Sequence, residues 1–279
     1  MPDTAADSTR TSSRALIVTL YGLYARESDG WMSVSAVVSL MSQLGVDEMA
    51  ARSSISRLKR RGLLQAELHD AVAGYRLSDD ALAVFAEGDR RIFSRPTASV
   101  EEGWVLVVFS VPESEREQRH QLRSRLSWLG FGTVSSGVWV APGHLLSDAR
   151  NVLARHGLDR YVDLFEAEHS AFAATADRVA SWWDLSELQT FYDNFLGRYE
   201  PMLRRYRRRR NLAGASAFAD YVSALTSWRR LPYLDPGLAP QYLPPGWSGE
   251  RAADLFFNLR ERIAAPAHDF ATSIASPAR

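Results

Sequence analysis

Five cations lie close together in the first quarter of the sequence. Residues 52–61 contain no acidic residue and include Arg52, Arg57, Lys59, Arg60 and Arg61. Guanidinium and ammonium groups bind phosphate oxygens, and a guanidinium can also donate two parallel hydrogen bonds to a guanine edge. The formal net charge of the protein is zero, so any contact with nucleic acid must use a local patch that acts at short range in physiological salt.

The spacing of apolar residues predicts that this cluster lies on a helix. Ala51, Ile55 and Leu58 recur at helical spacing and form the inward face. A helix with a cationic outward face fits the major groove of duplex DNA, where arginine and serine contact bases or phosphates. The alternative is an ordinary solvated helix face. The candidate DNA-binding residues are Arg52, Ser53, Ser56, Arg57, Lys59, Arg60 and, from a hairpin that follows the helix, Arg76.

A second candidate site combines cations with aromatic rings. Four residues, Trp228, Arg229, Arg230 and Tyr233, lie in one stretch of six residues at the beginning of a proline-rich segment. The prolines keep this part of the chain stiff. An anionic ligand with an apolar group needs cations beside an aromatic slot, so these four residues are the candidate effector-binding residues. The alternative is that the two arginines form internal ion pairs with Asp235 or Glu250.

Residues 204–210 read Arg-Arg-Tyr-Arg-Arg-Arg-Arg, a third concentration of positive charge. The run could bind the phosphates of a ligand or make an auxiliary DNA contact. It could also be a solvated helix end. The sequence leaves these alternatives open.

The motifs of common enzyme classes are missing. There is no cysteine, and the six histidines are scattered without the close spacing of a zinc site. No GxSxG elbow, Walker A loop or complete dinucleotide-binding loop is present. We therefore predict a protein that is not an enzyme, with no catalytic residues, no metal and no cofactor.

Composition places the chain among globular proteins of two or three domains. It has 279 residues, of which 46% are hydrophobic and 24% charged. No apolar run approaches the roughly 18 residues of a membrane-spanning helix, and the first 13 residues are polar. Together with the absence of cysteine, these features predict a cytoplasmic location without membrane contact.

The order of elements in the N-terminal part predicts a winged helix-turn-helix. Apolar periodicity indicates a helix over residues 14–26, and Ser33 and Asp47 are positioned to cap a second and a third helix. Gly62 ends the third helix. Strands are expected over residues 63–68 and 75–77, around a turn containing His69, Asp70 and Gly74. A connecting helix follows Ser78, and residues 94–97 form a linker.

The rest of the chain predicts an α+β, multidomain protein. Strand and helix patterns alternate as β-α-β(-β)-α-β, which suggests a ferredoxin-like middle domain with a tight hairpin within residues 133–140. The pattern then becomes helical. The predicted organisation is a disordered tail (1–13), a winged-helix domain with its connecting helix (14–93), a ferredoxin-like domain (98–170), a helical effector or dimerisation domain (173–265) and a mobile tail (266–279).

Three segments resemble one known family. Residues 48–64 (EMAARSSISRLKRRGLL) resemble the recognition helix of PaaX-type repressors of phenylacetate catabolism, and residues 75–78 (YRLS) match the end of their wing. Residues 228–252 (WRRLPYLDPGLAPQYLPPGWSGERA) are very similar to their C-terminal signature. The resemblance covers about residues 14–262, in the same order. It implies the same three-domain fold, and repression of aromatic catabolic genes that is relieved by phenylacetyl-CoA or another aromatic acyl-CoA.

The sequence departs from this family at two places. The wing, residues 68–74, lacks the arginines that are common there, and the run at 204–210 is not a family feature.

One winged helix covers a short DNA footprint, so we expect a homodimer on an inverted-repeat operator in double-stranded DNA.

The middle domain also resembles the small ferredoxin-like nucleases of CRISPR adaptation, which makes a metal-dependent nuclease the alternative. Such nucleases place an aspartate at the end of the first strand. Here residues 109–112 read Phe-Ser-Val-Pro, with no carboxylate before Glu113.

Overall fold

The computed structural model describes residues 12–170, 172, 174–208 and 212–275. The chain divides into two compact units, which differ from the three consecutive domains that we predicted. Among the described residues, the first unit takes those within 12–89, 195–228 and 251–275, and the second takes those within 90–194 and 229–250. The helices of residues 173–265, which we predicted as one helical domain, are divided between these two compact units.

The N-terminal part of the first unit is a set of helices and a small sheet. Helix α1 (Ser13–Leu20) leads through wider helical turns at Tyr21–Ala25 to strand β1 (Trp31–Ser33), helix α2 (Val34–Gln43) and helix α3 (Glu48–Arg60). Strands β2 (Leu64–His69) and β3 (Val72–Leu77) follow, then helix α4 (Asp79–Asp89). All three strands are antiparallel, in the order β1-β3-β2. The predicted caps Ser33 and Asp47 are confirmed.

The hairpin differs in detail from the prediction. Asp70 and Ala71 both have positive φ, so they alone make the two-residue turn, which is the type that best matches strand twist. Gly74 lies inside β3 instead of the turn, and strand β1, which was not predicted, pairs with β3 there. A Cβ at Gly74 would overlap the ring of Trp31, so the close approach of β1 requires glycine.

The remaining part of the first unit is helical. It contains residues 195–207 of helix α8 (Leu185–Arg207), helix α9 (Gly214–Trp228) and residues 251–275 of helix α11 (Gly249–Ala275). Thr226 on α9 donates a buried hydrogen bond of 2.8 Å to Thr19 on α1. The rings of Trp228 and Phe256 stack at 5.0 Å. These contacts explain why the C-terminal helices group with the N-terminal ones.

The prediction of a mobile tail from residue 266 is wrong as far as Ala275, because α11 continues through Pro266 to that residue. The apolar face continues past the proline, where Ala267 and Ala271 are buried and Phe270 packs on Phe218. This packing compensates for the hydrogen bond that proline cannot donate. The remaining tail residues, 276–279, and residues 1–11 of the predicted N-terminal tail lie outside the described part.

None of the described helices has the length and apolar character that spanning a membrane requires.

The second unit is built on a four-stranded antiparallel sheet. Its elements are strand β4 (Trp104–Phe109), helix α5 (Arg116–Trp128), strands β5 (Gly132–Ser135) and β6 (Val138–Pro142), helix α6 (Leu146–Arg155) and strand β7 (Val162–Ala167). The strand order is β5-β6-β4-β7, and the expected hairpin within residues 133–140 is confirmed as the β5–β6 turn. Residues including Val105, Val107, Leu122 and Leu153 form the core between this sheet and the helices.

Further segments complete the second unit. They include a helical turn over Arg90–Ser94, helix α7 (Thr175–Trp182), residues 185–194 of α8 and the short helix α10 (Leu231–Leu234). The predicted linker 94–97 is held in place: Arg95 donates to the carbonyl of Gly249 at 3.0 Å, and Ala98 donates to that of Gly237 at 2.8 Å. Loop composition alone did not show these contacts, because the partners of Arg95 and Ala98 lie 154 and 139 residues away in the sequence.

Candidate nucleic-acid interface

Helix α3 is fixed at both ends. Its cap, Asp47, accepts a hydrogen bond of 2.8 Å from the backbone N–H of Ala50. At the other end Gly62 takes a positive φ of 74°, and its N–H donates to the carbonyl of Lys59 at 2.9 Å. These are the standard ways to satisfy the free backbone groups of helix termini. The helix is therefore a rigid support for its side chains.

The inward face of α3 is buried, as predicted. Ala51, Ile55 and Leu58 are at most 4% exposed, and the helix packs on α1, α2 and β2. Ser54, which was not expected to be inside, is also buried. This packing fixes the rotation of the helix and so determines which residues face the solvent.

Six of the seven candidate DNA-binding residues lie on helix α3. Five of them are exposed and Ser53 is half-buried. Arg57 donates to the hydroxyl of Ser53 at 3.1 Å, while Arg52 forms an ion pair with Glu48 at 2.7 Å. Arg57 is therefore available to an external anion, whereas Arg52 must first give up or share its contact with Glu48. The exposed residues are Arg52, Ser56, Arg57, Lys59 and Arg60.

Arg76, the seventh candidate, is half-buried and is bonded to other parts of the first unit. Its Nε donates to the carbonyl of Asp29 at 2.9 Å, and its Nη1 pairs with Asp79 at 3.1 Å. It thereby ties β3 to the turn before β1 and to the start of α4. We assign it a positioning role in the first unit.

The hairpin presents a different surface from a phosphate-binding wing. Leu68 and Val72, near its tip, are 69% and 46% exposed, and His69 contacts Glu67. The ring of His69 stacks on Trp31 at 4.4 Å. Sequence reasoning missed Trp31, since β1 is too short for a periodic pattern. The signal that the sequence offered was Gly74, which leaves room for the Trp31 ring.

The four candidate effector-binding residues have different environments. Trp228 is fully buried in the core of the first unit, so the prediction that it lines a ligand slot is wrong. Arg230 is exposed and Arg229 is half-buried, both in the second unit. Tyr233 stacks on Trp128 at 4.2 Å, and the guanidinium of Arg91 lies 5.1 Å from the centre of its ring.

The arginine run is partly engaged within the first unit. Arg204 pairs with Glu200 at 3.4 Å, and Arg205 pairs with Asp220, which also accepts a hydrogen bond of 2.7 Å from Tyr206. Residues 209 and 210 lie outside the described part. These contacts favour a structural role for the beginning of the run.

Among the described residues, no three His, Cys, Asp or Glu side chains are close enough to hold a metal ion. Strand β4 ends at Phe109, and Ser110 follows. The residues at this strand end thus offer no carboxylate for the nuclease alternative.

Three family models match successive parts of the chain. They are a PaaX-like protein model over residues 12–81, the PaaX protein central Cas2-like domain over residues 97–179, and the PaaX-like protein C-terminal domain over residues 183–273. The chain belongs to the PaaX family. The resemblance stated from residues 48–64 and 228–252 is thereby confirmed.

Two relatives extend this finding. The transcriptional repressor PaaX of Escherichia coli (strain K12) is 25% identical over 270 residues, which cover 95% of this chain and 85% of the relative. The Mycobacterium tuberculosis protein Rv0674 has a similar fold, with a TM-score of 0.58 at 21% identity, covering 94% of this chain and 99% of the other. The named PaaX relative is a repressor and not an enzyme, in agreement with our prediction, and neither match supports the nuclease alternative.

Proposed function

We propose that this PaaX-family protein is a transcriptional repressor that binds double-stranded DNA through α3. The observation that carries the proposal is the exposed cationic face of a helix whose opposite face and both ends are held by the fold. The order of elements α1-β1-α2-α3-β2-β3 supports a winged helix-turn-helix, a fold in which the third helix enters the major groove. In this proposal Arg57, Lys59 and Arg60 contact DNA directly.

The second unit fits a ferredoxin-like fold. Counted within the module, the strand order is 2-3-1-4, and the elements follow the β-α-β-β-α-β order. We assign it a structural or dimerising role. A homodimer would place two copies of α3 on an inverted repeat, with half-sites separated by whole turns of about 10–10.5 base pairs.

The effector in this proposal is an aromatic acyl-CoA such as phenylacetyl-CoA. Arg230 is exposed, and the Trp128–Tyr233 pair supplies an aromatic surface in the same unit. Cations would bind the CoA phosphates and the rings would contact the acyl group. Relief of repression requires that the ligand bind the DNA-incompetent state more tightly, and a tenfold release needs about 1.4 kcal/mol of difference.

A mobility-shift titration tests the DNA-binding part. The full chain is mixed with duplexes from upstream of the genes that neighbour its own and of its own gene, and with a scrambled duplex of the same composition. We expect tighter binding to one upstream duplex and, by light scattering, two protein chains per operator. Equal affinity for all duplexes, or a monomer on the operator, contradicts the proposal.

The effector part is tested on the same operator complex. Phenylacetyl-CoA should lower operator affinity, whereas free phenylacetate should not. Arg229→Ala and Arg230→Ala should reduce the response without changing DNA binding alone; of the two, Arg230→Ala is the cleaner variant because its side chain is exposed. If calorimetry detects no acyl-CoA binding, the effector class is wrong.

A further inference from the structure

A pocket in the second unit is rich in charged side chains and is lined by none of the four residues that we predicted to bind an effector, although Tyr233 packs against one of its arginines, Arg91. Its empty volume, including the solvent at its mouth, is about 350 Å³. Its polar lining comes from four places in the chain: the helical turn after α4, the short turn before α6, α6 itself and the segment after α10. These lining residues are Arg90, Arg91, Arg95, His144, Asp148 and Asp235.

Arg91 is the central cation of this pocket and is only 6% exposed. Its Nε donates to the carbonyl of Pro232 at 3.0 Å, and its Nη2 donates to that of Leu129 at 2.5 Å. Its Nη1 is buried and makes no hydrogen bond with any described residue; it lies 3.7 Å from a carboxylate oxygen of Asp148. A buried charged donor without a hydrogen bond is costly, so this atom is a position where an acceptor would stabilise the protein.

His144 adds a second buried nitrogen. Its Nδ1 makes no hydrogen bond within the described part of the chain and lies 3.6 Å from the carboxylate of Glu102. Burial lowers the pKa of the imidazole below its usual range, and Arg91 lowers it further, while Glu102 and Asp148 act in the opposite direction. The ring is therefore neutral near pH 7, and it can gain a proton if negative charge enters the pocket.

The two acidic residues of the pocket are already engaged. Asp235 accepts hydrogen bonds from Arg95 at 3.0 Å, from the hydroxyl of Tyr192 at 2.6 Å and from the backbone N–H of Gly237 at 2.8 Å. Asp148 accepts from Arg90 at 2.7 Å. Among the residues that line the pocket, three arginines stand against two paired carboxylates, an excess of one positive charge, while the carboxylate of Glu102 lies beside His144 outside this lining.

We infer that this pocket is an oxyanion-binding site, in which Arg91 Nη1 and His144 hold a carboxylate or a phosphate group. An oxyanion accepts from both nitrogens at once and takes up the excess positive charge. A cation would be repelled by the three arginines, and an apolar group would leave both nitrogens unsatisfied. The inference goes beyond the proposed function, because none of the residues to which that proposal assigns the acyl-CoA lines this pocket.

The first test follows His144 directly in the full-length protein. Nitrogen-detected NMR of the imidazoles, with His144 assigned from the spectrum of His144→Gln, is recorded during titration with inorganic phosphate and, separately, with acetate. Chloride keeps the ionic strength constant. We expect saturable shifts of the His144 signal and a rise in its pKa on binding, because the anion stabilises the imidazolium.

The two titrations also identify the source of the oxyanion. Binding of acetate but not phosphate assigns the pocket to a carboxylic acid, and the reverse result assigns it to a phosphorylated ligand. Either result supports the inference. The absence of a saturable shift with both anions overturns it.

Variants separate binding at the pocket from general attraction of anions. His144→Ala should weaken binding by about tenfold, the effect expected for loss of one hydrogen bond to a charged group. Arg90→Ala should weaken it less, and His144→Gln, which keeps an N–H donor, should bind without proton uptake. Arg160→Ala is the matched control, since Arg160 is equally exposed and pairs with Glu115 outside the pocket.

Circular dichroism verifies that each variant is folded. Arg91 itself is left intact because its two carbonyl contacts hold the structure. Equal anion affinity in His144→Ala and in the unaltered protein overturns the assignment to this pocket. DNA affinity is a separate readout, so failure of this inference is distinguishable from failure of the proposed function.

Discussion

Arg57→Ala isolates one contact of the proposed DNA-binding helix. The side chain is exposed in the last turn of α3, and the contact described for it is a hydrogen bond to Ser53. Alanine favours the helical conformation at least as well as arginine. We therefore expect the free energy of unfolding to change by less than about 0.5 kcal/mol. Any larger change in DNA affinity then reports on the contact with DNA.

The size of the loss in DNA affinity depends on which part of the DNA Arg57 contacts. A contact to a base edge contributes about 1–3 kcal/mol, so operator affinity would fall by roughly 5- to 150-fold while non-specific affinity changes little. A contact to phosphate changes the slope of log K against log salt by about 0.9. Over a fourfold rise in salt, from about 50 to about 200 mM, one such contact corresponds to roughly 3.5-fold in affinity.

Fluorescence anisotropy distinguishes these two outcomes. Labelled operator and scrambled duplexes are titrated with the protein and with Arg57→Ala at several salt concentrations. Arg123→Ala is the control, because Arg123 is an exposed arginine on a different helix, α5, in the second unit. It removes the same charge from the protein without touching α3.

Unchanged DNA binding in these variants would contradict the proposed role of α3. If Arg57→Ala is folded and its operator affinity and salt slope equal those of the unaltered protein, Arg57 does not contact DNA. If Arg52→Ala, Lys59→Ala and Arg60→Ala behave in the same way, α3 is not the DNA-binding element. The exposed cationic face of α3 would then be an ordinary solvated helix face.

Three further outcomes are expected. Asp47→Ala should lower the free energy of unfolding by about 0.5–2 kcal/mol through loss of the cap of α3, whereas Asp47→Asn should retain it; urea denaturation measures both. Gly74→Ala should cost about 1–3 kcal/mol because its Cβ overlaps Trp31, and a double-mutant cycle with Trp31→Ala should recover part of this cost. Because the folded-state pKa of His144 is lowered, the unfolded chain takes up a proton first as the pH falls below about 6.5. Stability should therefore be complete above that pH and decrease below it, and this decrease should be smaller in His144→Gln, as urea midpoints on either side of 6.5 would show.

Local features of the sequence determined most of the candidate DNA-binding helix. The cap at Asp47, the end at Gly62 and the inward positions of Ala51, Ile55 and Leu58 all act within a few residues along the chain. Such short-range patterns are readable without a structure. The same holds for the alternation of strands and helices in the second unit and for the family resemblance.

Other features depended on contacts between distant positions. Arg76 had the right residue type for a DNA contact, but it donates a hydrogen bond to the backbone carbonyl of Asp29, 47 residues away, and pairs with Asp79. Trp228 had the right neighbours for a ligand slot, but its ring packs on Phe256. In both cases a contact with a segment distant in the sequence, at Asp29 or at Phe256, engages the side chain within the first unit.

The pocket around Arg91 shows most directly why some features cannot be read from the sequence alone. Its lining is drawn from residues 90 to 237, so no periodicity, cap or motif connects its members. The helical turn after α4 places Arg91 beside Leu129 and Pro232, and the turn before α6 brings His144 to the same cavity. Short-range patterns specify where a helix begins and which face is apolar. Packing of distant segments alone decides which polar atoms are buried together and which of them are left without a partner.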